Sequence, residues 1–494
     1  MLERLRGEKS ITTSHIGCFC PYWTVLNDEV VVSDNAPDII HSIPRPMRVI
    51  DPSAVLELLY GNYILGDRTI VRGLQRMPWR ARLSSDGRIT RFMPIPHGEA
   101  KVESAALAKK LLELLEEELW SVSRAVDRIW LLLSGGLDSR VVAGVIKRLE
   151  PSLKCSVSCV TWGKSASRDV DYARRIASRY GWDFIHVPYD AEMLWLNILR
   201  GASWGGAEVA GIHLHGLDWF RNASPNDLVI AASFGDGIGR AEYSSRHLLS
   251  ITPTVPRNIY DLVHPSLVSS CIQDAKVDLE SAWYGEEESP VWVKAELDMQ
   301  ENYMRRMICH AMDYVRQFCQ LHQAFTSEKV VSYIWSVSPD CRNDRTYDFL
   351  LRDLDPWLHS LPWARTGVAL DGSRETDTSL TKAYHEAGKW LRGELREKIE
   401  ELVFSPGLSE LGVFNVPALK RFWKRWLKEP DPENKRGEII VKIASIELAR
   451  RAFDLQPCRQ PTPLRDTLGN IPRLGLKGLR RIATLGREIV GIHC

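Results

Sequence analysis

Across residues 101–127 the apolar residues Leu107, Leu111, Leu112, Leu115 and Leu119 recur at helical spacing with no internal Pro or Gly, which predicts a long amphipathic helix. The period then changes. Ile129-Trp130-Leu131-Leu132-Leu133 is an unbroken apolar run stopped by Ser-Gly-Gly, the pattern of a strand buried on both faces. Helical stretches at 140–149 and 169–179 alternate with strand-like runs at 157–161, 184–187 and 228–232, and this alternation predicts an α/β domain with a parallel sheet. Upstream, Val30-Val31-Val32, Tyr63-Ile64-Leu65 and Ile89-Thr90-Arg91-Phe92 are short and broken by Asp, Asn, Pro and Asp86-Gly87. They predict a small antiparallel β region with one helix at 53–59. From about residue 298 the pattern is mostly helical, with a Pro-rich break at 457–463. Three regions follow: a β-rich domain at 1–98, an α/β domain at 101–390 and a helical extension at 391–494.

Composition narrows the class. The 494 residues suit two or three domains, and 44% hydrophobic with 26% charged residues excludes a disordered, collagen-like or coiled-coil chain. Lys plus Arg number 64 against 63 Asp plus Glu, so no whole-chain field favours nucleic acid or an anionic membrane as the partner. The one local excess is the tail at 465–494, where six Lys/Arg face two Asp/Glu. Ten Cys follow no even-spaced framework, the first 25 residues hold no apolar signal core, and no run reaches membrane-spanning length. The expectation is a reducing, cytoplasmic setting. A homo-oligomer is left open.

The sharpest chemical signal is Ser134-Gly135-Gly136-Leu137-Asp138-Ser139, set between a buried strand and a helix. Two glycines let backbone N–H groups converge, and the helix start adds a positive dipole end, so the turn suits an anion such as pyrophosphate. Ser134 and Ser139 add hydroxyls, while Asp138 suits a Mg²⁺ ion bridging bound phosphates. Other nucleotide motifs fail. Gly163-Lys164-Ser165 resembles the end of a Walker A loop, but Ser158 stands where that loop needs glycine. Gly235-Asp236-Gly237-Ile238-Gly239 lacks the dinucleotide-binding spacing.

The hexapeptide resembles the pyrophosphate loop of the asparagine synthetase type of ATP pyrophosphatases, and other segments agree in order. Thr161-Trp162-Gly163 stands where that family contacts adenine, and Asp169, Tyr172-Ala173 and His186 resemble a following family stretch. Ala232-Ser233-Phe234-Gly235-Asp236 resembles the second motif, whose aspartate binds magnesium. Residues 58–69, Gly73-Leu74 and Asp86-Gly87 resemble the end of the family's amino-terminal glutaminase domain. The likeness runs from about residue 30 to 370. It implies ATP and Mg²⁺ as cofactors and an ATP pyrophosphatase domain behind a truncated glutaminase-like β domain. The implied nucleotide contacts are Leu133, Ser134, Gly135, Gly136, Leu137, Asp138, Ser139, Thr161, Trp162, Gly163, Ser233 and Gly235, with Asp138 and Asp236 on the metal.

Departures from the family pattern carry information too. Glutamine-hydrolysing members have a Cys directly after the initiator Met, and here position 2 is Leu. Cys18 and Cys20 are internal, without a matching pair for a metal site, and read as strand cysteines. The loop also arrives far earlier than in glutamine-using relatives, so the resemblance implies that ammonia or an amine is supplied from elsewhere, including by a separate glutaminase. In the acceptor half, His322-Gln323-Ala324-Phe325-Thr326-Ser327 and Leu361-Pro362-Trp363-Ala364-Arg365-Thr366-Gly367 replace the family stretches. Arg345 and Arg365 are the candidates for the missing positive charge, with a solvated helix face the equal alternative for Arg345. Arg240 reads either as a phosphate or carboxylate partner or as a surface ion pair, and Glu242 and Tyr243 as packing before acceptor contacts. His213 and His215 lack a third metal ligand. The leading expectation is a carboxylate-adenylating, amide-forming ligase acting on a small-molecule acid. Adenylation of an RNA base or cofactor, and a degenerate nucleotide-binding scaffold, are the alternatives.

Overall fold

The apolar run beginning at Ile129 is the middle strand of a five-stranded parallel sheet. The computed structural model describes residues 2–241, 255–373, 375 and 378–458. Seven short strands come first: β1 (Glu3–Leu5), β2 (Ser10–Thr12), β3 (Tyr22–Leu26), β4 (Glu29–Ser33), β5 (Gln75–Arg76), β6 (Ala81–Ser84) and β7 (Ile89–Arg91). They form two antiparallel sheets, ordered β1-β4-β3-β5 and β2-β6-β7. The parallel sheet comprises β8 (Arg128–Leu132), β9 (Ser156–Trp162), β10 (Asp183–Val187), β11 (Leu228–Ala231) and β12 (Gln320–Gln323), ordered β10-β9-β8-β11-β12. Leu131 of β8 pairs with Cys159 on one side and Ile230 on the other. Both faces of β8 are covered, which is why its sequence does not alternate. Ile129 and Leu131 join one core with Leu107, Leu111, Leu115 and Leu119 of α3 (Ser104–Ser123), and Trp130 joins the core of the opposite face.

The sequence pattern misplaces several local elements. A second helix, α1 (Ala36–Ser42), accompanies α2 (Pro52–Gly61) in the front region; the cap of α1 is Asn35, whose side chain accepts from the Asp38 N–H at 3.1 Å. Tyr63-Ile64-Leu65 is buried but is no strand. Its neighbouring N–H groups are taken by side chains instead: Leu65 donates to Glu57 at 2.9 Å and Gly66 to Asn302 at 2.8 Å. Cys18 and Cys20 lie in the loop between β2 and β3. The fifth strand, Gln-Leu-His-Gln, carries no apolar run; it is an edge strand that owes its extended form to the ladder with β11.

One irregular element shapes the site. Met299–Cys309 is a π-helix, continued by a turn of α-helix to Met312, and π segments concentrate where function distorts a helix. Buried ion pairs clamp it to the front β region. Arg305 meets Asp67 at 3.1 Å and donates to the Gly66 and Met77 carbonyls, Arg80 meets Glu301 at 3.2 Å, and Arg306 donates to the Gly66 carbonyl at 2.7 Å while pairing, outside that region, with Glu208 at 2.9 Å. Removing one partner of such a buried pair costs about 3–5 kcal/mol, because the other charge is left without compensation. The front sheets thus hold the π segment in place.

Helix Pro52–Gly61 and the helices of 387–458 share a single hydrophobic cluster, in which Leu58 and Leu59 pack with Trp426, Ile440 and Ile443. Residues up to Cys458 form one compact unit. The basic tail lies outside the described residues, as do Glu242 and Tyr243. Among the described residues no helix is long and apolar enough to cross a membrane.

Candidate functional site

Strand β8 ends at Leu132, and α4 (Leu137–Leu149) begins after the two glycines with Gly136 at its N-cap. The turn between them is organised by its own side chains. The Ser139 hydroxyl accepts from the Ser134 N–H at 3.2 Å and lies 3.1 Å from the Ser134 hydroxyl, which itself accepts from the Gly136 N–H at 3.1 Å. The Gly135 N–H donates to Asp169 at 2.9 Å, and the buried Arg140 guanidinium donates to the Gly135 and Leu361 carbonyls at 2.9 Å. A Cβ on Gly135 would meet Ala364 at 2.6 Å, so the 361–367 stretch can pack directly on the back of the loop. Asp169 opens α5 (Arg168–Tyr180); burial raises its pKa, against the pull of the Gly135 N–H and Arg140.

A cavity of about 440 Å³ lies over the ends of β8, β9 and β11. Ser134, Gly136, Asp138 and Ser139 line its loop side, with Leu133 beside them. Gly135 and Leu137 do not line it; Leu137 is wholly buried in the core. Thr161 and Trp162 form the β9 wall, where the Thr161 hydroxyl donates to the Leu133 carbonyl at 2.6 Å. Trp162 stacks on His215, centroids 5.3 Å apart and planes 6° apart, and Tyr384 closes that side. Gly163, just outside, has φ +127° and its carbonyl is 2.8 Å from His186. Ser233 lines the β11 side, while Gly235 lies behind it.

Asp138 does not stand alone. Arg240, 7% exposed, holds it with two contacts at 3.0 and 3.4 Å and reaches Asp344 at 3.0 Å. Burial disfavours the Arg240 charge, but the nearby Asp138, and then Tyr347 and Asp236, more than restore it and raise its pKa. Of the two sequence readings of Arg240, the surface ion pair is therefore corrected: the pair with Asp138 is buried, because the chain after β11 packs Gly235 against Asp138 at the start of α4. Gly235 makes this possible, since a Cβ there would meet the Asp138 carboxylate at 2.5 Å. Among the described residues no three His, Cys, Asp or Glu converge on a common point. Asp138 lines the cavity and Asp236 does not; both carboxylates act electrostatically on Arg240 and Tyr347, and hard oxygen donors of this kind suit Mg²⁺ when phosphate oxygens and water complete the shell.

The two acceptor candidates lie elsewhere. Arg345 is exposed in the first turn of Asp344–Leu354, and Arg365 is exposed with its guanidinium 5.5 Å from the Trp363 ring centroid. Neither lines the cavity. The sequence reading missed the part of the wall formed by Tyr303, Met307, Ile308, Ala311 and Met312, and set aside His213 and His215, which also line it. Burial holds the pKa of His213 down to about 4 and that of His215 to about 3, so both rings are neutral near pH 7. Nothing in the sequence marks the five residues of 303–312, because their apolar spacing reads as ordinary core.

The family model of asparagine synthase matches residues 110–204, which takes in α3, the loop, β9 and α5. The resemblance read from the loop is borne out over that segment. No curated protein matches the chain. Among solved structures, an NMN synthetase from Francisella tularensis is 14% identical over 29% of this chain and 60% of that one, with a TM-score of 0.20. An NH3-dependent NAD synthetase from Campylobacter jejuni is 20% identical over 30% and 63%, TM-score 0.20. An NAD+ synthetase from Burkholderia pseudomallei is 13% identical over 48% and 88%, TM-score 0.20. The chain spans less than two thirds of the first two.

Proposed function

We propose that this chain is an ATP-dependent ligase that adenylates a carboxylate and passes the acyl group to ammonia or an amine. The observation that carries this reading is the loop itself: a pyrophosphate-loop hexapeptide at the end of the middle strand, with Ser134, Gly136, Asp138 and Ser139 facing a cavity of nucleotide size. In the reaction a carboxylate oxygen attacks the α-phosphorus of ATP, the bond to the β-phosphate bridging oxygen breaks, and pyrophosphate departs. The nitrogen nucleophile then attacks the acyl carbon, loses a proton and releases AMP.

The residues divide the work. The Ser134 and Ser139 hydroxyls, the Gly136 N–H and the N-terminal end of α4 receive the departing pyrophosphate, where preorganised donors count most. Asp138 and Asp236 would hold Mg²⁺, which when bound neutralises phosphate charge. Thr161, Trp162 and Gly163 take the adenine side. Arg240 keeps the Asp138 carboxylate oriented through its two contacts at 3.0 and 3.4 Å.

ATP–pyrophosphate exchange across a panel of carboxylic acids, aspartate included, tests the reading. Exchange that depends on one acid and disappears in Asp138→Asn supports it. Intact ATP binding with no exchange for any acid would falsify it.

A further inference from the structure

The cavity has two unlike sides, and the strand order separates them. β9 flanks β8 on one side and carries Thr161 and Trp162; β11 flanks it on the other and leads into Ala232 and Ser233. The loop sits between them. If adenine lies beside Trp162, as proposed above, the β11 side is left for the acid. Tyr303, Met307, Ile308, Ala311 and Met312 form the apolar floor of the cavity, and Ile308, Ala311 and Met312 share a core cluster with Ala231 of β11 and Trp162 of β9. In the π segment, bonding from i to i+5 turns 303, 307 and 308 to one face, and all three are half-buried at the cavity. His213 belongs to the turn Gly211–Leu214, which packs on His310–Met312. Its Nε2 is buried without a hydrogen-bond partner, and the ring is neutral near pH 7. The charged groups lining the cavity, among the described residues, are Asp138 and Asp169, both acidic.

We infer that the activated acid is a monocarboxylate with an apolar body, aliphatic or aromatic, seated on the 303–312 floor, and that dicarboxylates such as aspartate are poor substrates. This rests on the ligase reading. The physical reason is desolvation. An apolar body gains from burial against Met and Ile side chains, in proportion to the apolar area removed from water. A second carboxylate would be desolvated against apolar atoms and two acidic side chains, with neutral donors but no Lys or Arg among the described lining residues to meet it.

Two measurements on the full chain keep this inference apart from the ligase reading. The first is equilibrium dialysis of radiolabelled 3-phenylpropionate in the presence of α,β-methylene ATP; the second is ATP–pyrophosphate exchange with 3-phenylpropionate, hexanoate, aspartate and glutamate. The expected result is binding of 3-phenylpropionate and at least tenfold higher exchange kcat/KM for the two monocarboxylates. Met307→Lys should raise KM for 3-phenylpropionate tenfold or more while leaving KM for ATP within twofold, and Met307→Leu should restore the native value. Should Met307→Lys fail to fold, Ile308→Phe reads the same floor by filling it. Faster exchange with aspartate or glutamate overturns the inference and leaves the ligase reading standing. An equal rise of KM for ATP in the floor variants also overturns it, since the floor would then belong to the nucleotide. Binding of 3-phenylpropionate that Met307→Lys abolishes, without exchange for any acid, upholds the floor and removes the ligase. Absence of both binding and exchange removes both.

Discussion

The loop at 134–139 and the floor at 299–312 face one cavity and are built in opposite ways. The loop is polar and local: Ser134, Gly136 and Ser139 bond to one another within five residues, and the strand and helix on either side come from adjacent sequence. The floor is apolar and remote. Its position depends on Arg305 and Arg306 reaching Gly66 and Glu208, and on Arg80 reaching Glu301. On the ligase reading proposed above, chemistry that meets phosphate is written into a short motif, whereas selection of the acid falls to a surface that only the assembled chain creates. The front region has a structural part in this: Gly66, Asp67, Met77 and Arg80 anchor the π segment.

The largest effect expected on this contrast is at Asp138. Asp138→Asn should lower exchange by on the order of 10²–10³-fold, the usual cost of removing one preorganised electrostatic group, with the far-ultraviolet circular dichroism unchanged. A loss below tenfold would mean that the loop carboxylate is not part of the reacting centre. Next comes the front anchor. Arg306→Met, which strands the buried Glu208, should destabilise the fold by roughly 3 kcal/mol in urea denaturation and weaken binding on the floor side before ATP binding. If ATP and acid binding fell together, loop and floor would not be separable.

A smaller effect is expected from Gly235→Ala, whose Cβ must displace the Asp138 carboxylate from 2.5 Å. About 1–3 kcal/mol of strain and a tenfold or greater loss of exchange should follow, read by thermal unfolding and kinetics. Smaller still is the pH response of the histidine wall. His213 and His215 have folded pKa values of about 4 and about 3, below the unfolded value, so the unfolded chain binds more protons. Their contribution is complete above about pH 6.5 and is lost as pH falls toward the folded values, by about 1 kcal/mol each at pH 5.5. Asp298, whose pKa burial raises to about 7, works in the opposite sense over the same range. The difference in urea midpoint between native protein and His213→Gln at pH 7.5 and 5.5 isolates the histidine; an identical shift in both would remove it as the source. The smallest effects are expected from Arg345→Ala and Arg365→Ala, which should change exchange less than threefold and stability by about 0.5 kcal/mol or less, as exposed side chains outside the cavity.

Much of the architecture was legible before the structure. Ile129–Leu133 announced the middle strand, Leu107 to Leu119 the long helix, and Ser134–Ser139 the anion turn, because each is governed by interactions within a few residues. The edge strand Gln320–Gln323 was not legible, since its extended form comes from β11 and its side chains are mixed. Tyr63–Leu65 misled in the other direction: apolar residues there are buried without a ladder, their backbone satisfied by Glu57 and Asn302. Arg240 could be read two ways until Gly235 and α4 closed round it.

What the sequence determined alone is the parallel α/β frame and the position of the phosphate loop, both products of local periodicity and turn chemistry. What the tertiary structure decided is which side chains stand opposite that loop. Burial makes the imidazoles of His213 and His215 neutral, brings Arg240 onto Asp138, and sets Met307 and Ile308 at the cavity. Charge state and neighbourhood are properties of the packed protein, and linear spacing does not carry them.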